Sequence, residues 1–480
     1  MARTKKESRT LVWFRGKDLR LADHPPLHSA LADGEVICLF VLDPFFFASE
    51  RARELPHRMQ FLLESIGALG EDIERHGSHL FLAAGKSVEV VPELAKRWRV
   101  DRVVGQRWTE PFARLRDERV AKALDVPFDL FDGETLAPPA SIRNKEERSY
   151  AVFSPFARAH RVATHVDAPL RAPHAIPPPP EDVRFKDAAL PKLEKLGIPP
   201  NPNLPTGGER AAKKRLAKFL EKNASRYHEE RDRLDLDTTS RLSVDLHFGT
   251  LSPRSAWMAA KDALAKAHPK AWHRFSEELI WREFTHAVLW DNPSLLREPR
   301  RSEFGSFPWE KDDAGWHAWC NGTTGYPVVD AAARQLLGEG FVHNRARMIS
   351  ASFLTKDLRI DYRRGEAHYL KYLVDGDWPQ NNFNWQWVAG CGFDAAPYFR
   401  VFNPVEQGKK FDPTGAYIRQ WVPELADLPD AAIHEPSNAS PSTLKAAGVV
   451  LGKTYPEPIV DHRGARAIYL EEMSRLSRTK

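Results

Sequence analysis

The chain has 480 residues, enough for more than one domain, and its 42% of hydrophobic residues can bury a large core. The 70 Lys and Arg against 65 Asp and Glu leave a net charge of +5, which permits an anionic partner without requiring one. Three scattered cysteines with no CxxC pair exclude a disulfide framework and a thiolate metal site. No stretch approaches the ~18 apolar residues of a membrane span, so we expect no membrane partner and a cytoplasmic location.

The first third of the chain alternates between two patterns. Short β-branched and aromatic runs occur at 10–15, 35–42, 79–84, 100–105 and 126–131, and helical spacing occurs near 57–76, 87–98 and 113–124. This alternation predicts βαβ units, and hence an α/β domain with a doubly wound parallel sheet over residues 1–135. Gly85-Lys86-Ser87 lacks the upstream glycine of a phosphate-binding loop and indicates a helix start instead.

The rest of the chain loses the strand pattern. A proline-rich stretch from about 168 to 206 suits a semi-rigid tether, and we place an interdomain linker at 136–206. Helical spacing follows at 208–225, 253–267, 271–290, 327–338, 344–356 and 364–374. These segments predict an all-helical domain over residues 207–480.

One predicted helix carries three side chains of interest. Glu278, Trp281 and Arg282 are spaced three and four apart and share one helix face. A carboxylate, an aromatic plane and a guanidinium could bond a base edge, stack on the base and hold its phosphate. A half-buried Trp beside an intrahelical Glu–Arg pair explains the same pattern.

The segment 374–387 is dense in polar residues and tryptophans. Its glycine, proline and asparagines disfavour a continuous helix, and such loops are often binding sites. Asp375 and Asp377 could contact a ribose or an adenine, and an Asn amide could bond a flavin ring. A capped turn explains Asp375 and Asn382 equally well.

The segment Thr239-Ser240-Arg241-Leu242-Ser243 offers hydroxyls, backbone N–H groups and a cation that suit a pyrophosphate, although it also fits a helix N-cap. No arrangement of side chains indicates a hydrolytic triad or a metal site. We therefore expect a cofactor to perform the chemistry.

Several motifs occur together in one order. They are Val12–Pro25, Tyr150–Phe156, Tyr227–Asp232, Thr239–Ser243, Gly249–Arg254, Gly325–Pro327, His343–Arg347 and Asp394–Arg400. With them the chain resembles the photolyase and cryptochrome family over nearly its whole length. It departs at His24, where Asn is usual, and at Ser154, where Thr is common. The resemblance implies an antenna-type α/β domain, a helical domain that binds FAD, and light-driven repair of cyclobutane pyrimidine dimers in DNA.

The resemblance also implies roles for individual residues. The implied FAD contacts are Tyr227, Thr239, Ser240, Arg241, Leu242, Ser243, Phe275, Asn344, Arg347, Asp375, Gly376, Asp377 and Asn381. The implied DNA contacts are Arg231, Glu278, Trp281, Arg282, Asn344, Arg345, Trp387 and Gln407. Catalytic roles fall to Glu278, Asn381 and Met348, and a salt bridge is expected between Arg347 and Asp375. Phe275 and Phe341 stand where some relatives have Trp, which weakens those two flavin contacts.

An electron relay to the flavin is also implied by the family. Its inner and outer positions match Trp385 and Trp309, but the middle position is Tyr362. A tyrosine transfers a hole only if its phenol loses a proton, so transfer should be slower there or be bypassed by another aromatic such as Trp378.

Three other functions are consistent with the resemblance. A cryptochrome-type blue-light sensor usually has Asp or Cys at the position of Asn381, a (6-4) photolyase has a second histidine at the position of Asn344, and a redox-inert flavin scaffold would need the tryptophans to be core. A second antenna chromophore, a folate or a deazaflavin, could contact Glu110 and Arg297, or the pocket could be empty. We expect a monomer without an obligate protein partner.

Overall fold

A computed structural model of the protein describes residues 8–397 and 399–478, so Tyr398 of the Asp394–Arg400 motif lies outside the described residues. Contacts between Cα atoms divide the chain into two compact units. The first takes in the chain up to Ser225 together with Ser240–Pro293, and the second takes in Arg226–Thr239 together with the chain from Ser294 onward. The domain boundaries at 135 and 206 stay a prediction beside this division.

A five-stranded, entirely parallel sheet organises the first unit. Its strands are β1 (Ser8–Phe14), β2 (Gly34–Leu42), β3 (Leu80–Ala84), β4 (Arg102–Gln106) and β5 (Phe128–Phe131). Their spatial order is β3-β2-β1-β4-β5, with β1 in register with β2 from Ser8 opposite Gly34 to Phe14 opposite Phe40. The predicted doubly wound parallel sheet is therefore confirmed.

The inner strands are buried on both faces, which is why they appear in the sequence as continuous apolar runs. Leu11 to Phe14 in β1 and Val36 to Leu42 in β2 are buried without alternation. Covering helices on both sides of a parallel sheet remove the polar face that an antiparallel sheet often keeps. Edge strand β5 is only half-buried along its length.

The first thirteen α-helices are α1 (Pro25–Leu31), α2 (Pro44–Phe47), α3 (Ser49–Arg53), α4 (Pro56–Arg75), α5 (Ser87–Arg97), α6 (Pro111–Ala123), α7 (Phe153–Ala163), α8 (Leu193–Leu196), α9 (Glu209–Lys222), α10 (Tyr227–Glu230), α11 (Ser243–Phe248), α12 (Pro253–Leu264) and α13 (Pro269–Asp291). Of these helices, only α10 belongs to the second unit. The remaining helices of the second unit are α14 (Asp313–Asn321), α15 (Pro327–Glu339), α16 (Asn344–Ser352), α17 (Tyr362–Tyr372), α18 (Trp378–Ala389), α19 (Pro404–Phe411), α20 (Ala416–Trp421), α21 (Asp430–Ile433), α22 (Pro441–Ala446) and α23 (His462–Arg478). This succession confirms the predicted helical half.

Proline at the first helical turn explains several helix starts that lie one or two residues before the predicted ones. Pro56, Pro111 and Pro269 begin α4, α6 and α13. A proline there loses nothing, because the first N–H groups of a helix have no intrahelical acceptor.

The predicted interruption of the 374–387 segment is wrong for most of its length. Helix α18 begins at Trp378, with Pro379 inside its first turn, and continues through the asparagines. Asn382 and Gln386 lie one turn apart and both donate side-chain hydrogen bonds to the main-chain oxygen of Leu295, at 2.8 and 3.0 Å. These tertiary bonds satisfy polar side chains whose local preference is for turns.

The predicted helix 344–356 consists of two geometries. Helix α16 ends at Ser352, and a π-helical turn continues over Phe353–Asp357. The Thr355 hydroxyl donates to the Ala351 carbonyl at 2.7 Å within this stretch. Such side-chain bonds to the preceding turn often accompany a bend in a helix.

Aromatic side chains form much of the core of the second unit. Trp319, Phe353, Tyr369, Trp385 and Tyr455 are all buried in one hydrophobic cluster. Along the described ranges 8–397 and 399–478, the helices lack the length and hydropathy that crossing a bilayer requires.

Gly249 lies very close to the main chain of Lys17, and its substitution tests this contact. It ends α11 with φ of +63°, and a Cβ there would lie 1.9 Å from the Lys17 carbonyl oxygen. We expect Gly249→Ala to lower the free energy of unfolding by about 3 kcal/mol, from the left-handed backbone and the clash together. Chemical denaturation measures this loss.

Gly67→Ala is the matched control for Gly249→Ala. Gly67 lies inside α4 with no atom within 4 Å of its added Cβ, so the same substitution should raise the free energy of unfolding by up to about 1 kcal/mol. Equal shifts for the two variants would contradict the close approach of Lys17 to Gly249.

Candidate functional site

A partly buried ion pair joins two segments of the second unit. The Nη2 group of Arg347, on α16, lies 3.1 and 2.9 Å from the two carboxylate oxygens of Asp375, just before α18. Arg347 also donates through Nε to the Val342 carbonyl at 2.7 Å, and its guanidinium lies 5.4 Å from the Phe341 ring centre. The predicted salt bridge is confirmed, and it fixes the loop before α18 against α16.

That loop is buried although it is polar. Asp375, Gly376 and Asp377 are all nearly inaccessible to solvent, and the Gln380 side chain donates to Asp377 at 3.0 Å. Carboxylates in such a position are held by donors rather than by water.

Asn381 lies on the first turns of α18 with its side-chain amide oriented by α17. Its Nδ2 donates to the Glu366 main-chain oxygen at 3.0 Å, and Nδ2 of Asn382 donates to the Glu366 carboxylate at 3.0 Å. Burial raises the pKa of the Glu366 carboxyl to about 7. An amide offers a second N–H and an oxygen, which are the groups that bond to a flavin ring.

The start of α16 brings two predicted lesion contacts together. Asn344 is exposed at the first position, and its Nδ2 lies 3.8 Å from the Met348 sulfur one turn later. Trp387 on α18 and Gln407 on α19 are half-buried in the same unit, as is Thr239. Asn344 and Met348 are four residues apart, so the sequence predicts their contact if this segment is a helix.

Two of the predicted phosphate-binding arginines meet at one carboxylate. Arg345 lies 3.0 Å from Asp232, and Arg231 lies 3.8 Å from its other oxygen. The Arg345 guanidinium stacks 4.4 Å from the Phe411 ring centre, and Arg231 lies 6.0 Å from the ring of Tyr227. Sequence reasoning did not assign Asp232 a role, although it follows Arg231 directly.

In the first unit, α13 presents a flat aromatic surface. The Trp281 ring stacks on Phe153 of α7 with ring centres 3.5 Å apart and 6° between planes. Glu278 lies one turn earlier, half-buried, with Arg274 3.5 Å from its carboxylate. The predicted helix and the shared position of Glu278 and Trp281 are confirmed, and Phe153 is the partner that the sequence left unidentified.

Arg282 does not share that exposed surface. Its side chain is only 4% exposed and donates to the main-chain oxygens of Glu134 and Leu246, at 2.5 and 3.4 Å. A guanidinium held by carbonyls inside the unit is not available to a phosphate. This corrects the predicted phosphate contact, because the Arg282 guanidinium bonds to main-chain carbonyls inside the first unit. Glu278 pairs with Arg274 and not with Arg282.

The segment Ser240–Ser243 of the first unit has an unusual backbone. Arg241 has φ of +48°, and Leu242 follows in the right-handed helical region. Successive left- and right-handed residues make a concave row of N–H groups that binds anions. Helix α11 starts with no side-chain cap, so the N-cap interpretation is wrong, and this backbone fits the phosphates of a dinucleotide.

Phe275 lies on α13 in the interior of the first unit. It is buried, with its ring centre 5.4 Å from that of Phe219 on α9. Its role as a flavin contact stays a prediction.

The predicted relay stays a prediction, and a second set of aromatic side chains lies beside Trp385. Tyr362 and Trp309 have ring centres 6.4 Å apart, and burial raises the pKa of the Tyr362 phenol. The ring centre of Trp385 is also 6.1 Å from that of Trp319, which lies 5.5 Å from the half-exposed Trp316. The three-residue spacing of Trp316 and Trp319 indicates from sequence that their side chains can meet on one helix face. The proximity of Trp319 to Trp385 is a tertiary contact that the sequence does not show.

Charged side chains fill the edge of the sheet at which the parallel strands end. Arg15 and Arg116 lie between the indoles of Trp13 and Trp108, within 5.6 Å of each ring centre. Lys17 pairs there with the buried Glu110 and Glu134. Glu110, a predicted chromophore contact, is thus committed to a cation, and the other contact, Arg297, belongs to the second unit.

A shallow surface groove, too narrow to enclose a water molecule, lies next to this cluster, and its walls include Trp108, Thr109, Thr135, Pro139 and Trp290. Arg114 covers Trp290 with its guanidinium 3.9 Å from the ring centre. Two indoles thus line one groove, which has no enclosed space for a ligand in this arrangement of side chains.

Comparisons with known proteins cover both halves of the chain. Residues 10–179 match the family model described as DNA photolyase, and residues 275–475 match the one described as the FAD binding domain of DNA photolyase, which makes FAD the cofactor of this region. The chain is 37% identical to the deoxyribodipyrimidine photo-lyase of Agrobacterium fabrum over 99% of each chain. It is 42% identical to a deoxyribodipyrimidine photo-lyase of Thermus thermophilus, over 86% of this chain and 92% of the relative.

Solved structures extend the similarity to the fold. A bacterial class III photolyase from Agrobacterium tumefaciens matches with a TM-score of 0.92 and 37% identity, covering 100% of this chain and 99% of the other. A cryptochrome from Synechocystis matches with a TM-score of 0.89 and 30% identity, covering 97% and 99%. With sequence identity and fold in agreement over nearly every residue, the chain belongs to the DNA photolyase family.

Proposed function

We propose that this chain is a light-dependent DNA repair enzyme that splits cyclobutane pyrimidine dimers with an electron from photoexcited, reduced FAD. The observation that carries the proposal is the half-exposed pair of Glu278 and Trp281 on α13, with Trp281 backed by the ring of Phe153. A rigid aromatic plane beside a carboxyl group suits an extruded pyrimidine pair, which presents both a flat face and polar edges.

Trp281 receives the dimer by stacking. Phe153 and the edge of Phe284 hold its indole in place, so little side-chain entropy is lost when a base stacks on it. Stacking of this kind contributes about 1–3 kcal/mol per base, comparable with the few kcal/mol that unstacking a damaged base costs.

Glu278 is the side chain that bonds to the pyrimidine edge, and Asn381 is the one that bonds to the flavin. Glu278 accepts a hydrogen bond from the pyrimidine edge and, when protonated, donates to a carbonyl that gains negative charge. When bound, reduced FAD would supply the electron that the dimer takes up, and the electron would return to the flavin once the two carbon–carbon bonds joining the pyrimidines have broken. The Asn381 amide, oriented by the Glu366 main-chain oxygen, bonds to the flavin ring.

Two alternatives within the family are less well supported. A blue-light sensor is favoured by the similarity to a cryptochrome, but the residue on α18 is Asn381 rather than the Asp or Cys expected of sensors. A (6-4) photolyase would need a second histidine after His343, where this chain has Asn344. Both differences support repair of cyclobutane dimers.

For photoreduction of oxidised FAD we propose the path Trp385, Trp319, Trp316. Its ring centres are separated by 6.1 and 5.5 Å, and it ends at a half-exposed indole. The path through Tyr362 needs the loss of a phenolic proton whose pKa is raised by burial.

A second chromophore, either a folate or a deazaflavin, would bind beside Trp108 and Trp290. The support is the pair of indoles that line one groove there, because the sheet edge itself is filled by Arg15, Arg116 and Lys17.

The proposed activity is tested with two substrates and one light source. Purified protein should restore pyrimidines in an oligonucleotide that carries a cyclobutane dimer, under blue light and not in the dark, and should leave a (6-4) product unchanged. Chromatography of the digested oligonucleotide measures both. Repair of the (6-4) product alone, or of neither substrate, would contradict the proposal.

Glu278→Ala should reduce the number of dimers split per absorbed photon by about tenfold or more, because one hydrogen bond to a charged group contributes about 1.5–3 kcal/mol. The dissociation constant for dimer DNA should change little. Glu277→Ala is the control, since Glu277 is the neighbouring carboxylate on α13 and also pairs with Arg274. Equal quantum yields for the two variants would exclude a special role for Glu278.

Trp319→Phe should slow the photoreduction of oxidised FAD by about tenfold or more, while Tyr362→Phe should leave its rate close to that of wild type. The reason is that an indole loses an electron more readily than a benzene ring, and the two indoles flanking Trp319 would lose their intermediate. Transient absorption measures the rate. Repair by protein that is already reduced should be unchanged, and a slower rate in Tyr362→Phe alone would restore the original relay.

A further inference from the structure

His343 precedes α16 and caps it with one ring nitrogen. Its Nδ1 accepts a hydrogen bond from the main-chain N–H of Arg345 at 3.1 Å, and its own main-chain N–H donates to the Gln335 side chain at 3.3 Å. Because Nδ1 is the acceptor, the neutral ring carries its proton on Nε2. The tautomer of His343 therefore follows from its capping role.

The Nε2–H group of His343 is a buried donor. The residue is 6% exposed, and within residues 8–397 and 399–478 no acceptor lies within hydrogen-bonding distance of Nε2. The Nε–H of Arg345, two residues later, is likewise buried without an acceptor in the same described ranges. A buried donor that stays unsatisfied destabilises the fold, so two of them near one helix start indicate a bound acceptor.

The charges around His343 indicate what that acceptor is. Arg231, Arg345 and Arg347 all lower the pKa of the imidazole through their charges, and Asp232 opposes them; burial is the largest effect, and the pKa falls to about 4. Asp375 pairs with Arg347, and Asp232 lies beside both Arg345 and Arg231, so three guanidinium groups lie close to the start of α16. A group with several negatively charged oxygens satisfies both donors and this charge together.

We propose that the Nε2–H of His343 donates to a phosphate oxygen that the Arg345 guanidinium also holds, which makes His343 a positioning residue for the bound phosphate. This inference rests on the proposed function for its DNA source, since the phosphate belongs either to the DNA backbone or to FAD. The α16 N-terminus adds the favourable end of the helix dipole to the same group.

Two substitutions separate the two nitrogens of His343. Asn places its oxygen near the position of Nδ1, so His343→Asn retains the helix cap and removes the Nε2–H donor. Gln extends its amide N–H toward the position of Nε2, so His343→Gln retains the donor and removes the cap. A phosphate contact therefore predicts that His343→Asn is the more impaired variant, whereas a purely capping role predicts that His343→Gln is.

The measurement is a titration of an oligonucleotide that carries a cyclobutane dimer. We expect His343→Asn to weaken binding by roughly tenfold or more, the usual effect of losing a hydrogen bond to a charged group, and His343→Gln to stay within about threefold of wild type. Because the neutral imidazole releases no counterion, His343→Asn should leave the slope of log K against log salt unchanged. Arg345→Gln should reduce that slope by about 1.

FAD content and thermal unfolding identify the source of the phosphate. Loss of FAD from His343→Asn, with Gln retaining it, assigns the phosphate to the cofactor and supports the same chemistry. Ser440→Ala removes the side-chain cap of α22 and controls for cap loss, with lower stability and unchanged affinity expected.

Wild-type DNA affinity and FAD content in His343→Asn, with lower stability only in His343→Gln, would overturn the inference. If wild type itself binds no dimer DNA, the proposed function fails, and FAD retention by the two His343 variants then decides the inference alone.

Discussion

The Arg347–Asp375 ion pair is the interaction on which the functional residues of the second unit depend. It joins the start of α16, with Asn344 and Met348, to the loop from which α18 begins, with Asn381. The Asp375 side chain is nearly inaccessible to solvent and Arg347 is partly exposed, so loss of Arg347 would remove a cation from a buried carboxylate, which is a strongly destabilising change. The pair thereby keeps the residues proposed to contact the flavin and the DNA in one arrangement.

The fold could be predicted where local pattern and tertiary environment agree. Continuous apolar runs predicted β1 and β2, because helices cover both faces of a parallel sheet and leave no alternation. Prediction failed at α18, where the local preference of asparagine is for turns. Asn382 and Gln386 find their acceptor at Leu295, which is remote in sequence, and no local pattern contains that bond.

The site could be predicted less completely, because residue type does not determine where a side chain lies. Arg282 has the chemistry of a phosphate ligand, yet the carbonyls of Glu134 and Leu246 hold it inside the first unit. The Arg347–Asp375 pair came from the family resemblance rather than from composition or spacing. Distances between aromatic rings, such as Trp319 to Trp385, depend on how α14 and α18 pack and required the structure.

If the phosphate proposed to contact His343 belongs to DNA, a neutral donor among arginines bears on how damaged DNA is distinguished from undamaged DNA. Each additional cation strengthens binding to every phosphate backbone alike, since the gain comes from released counterions. The pKa of His343, lowered to about 4, keeps the imidazole uncharged at neutral pH, so it adds a directional hydrogen bond without adding that general attraction. Its contribution depends on where a phosphate lies relative to α16, and a backbone distorted by an extruded dimer differs from regular duplex in just that respect.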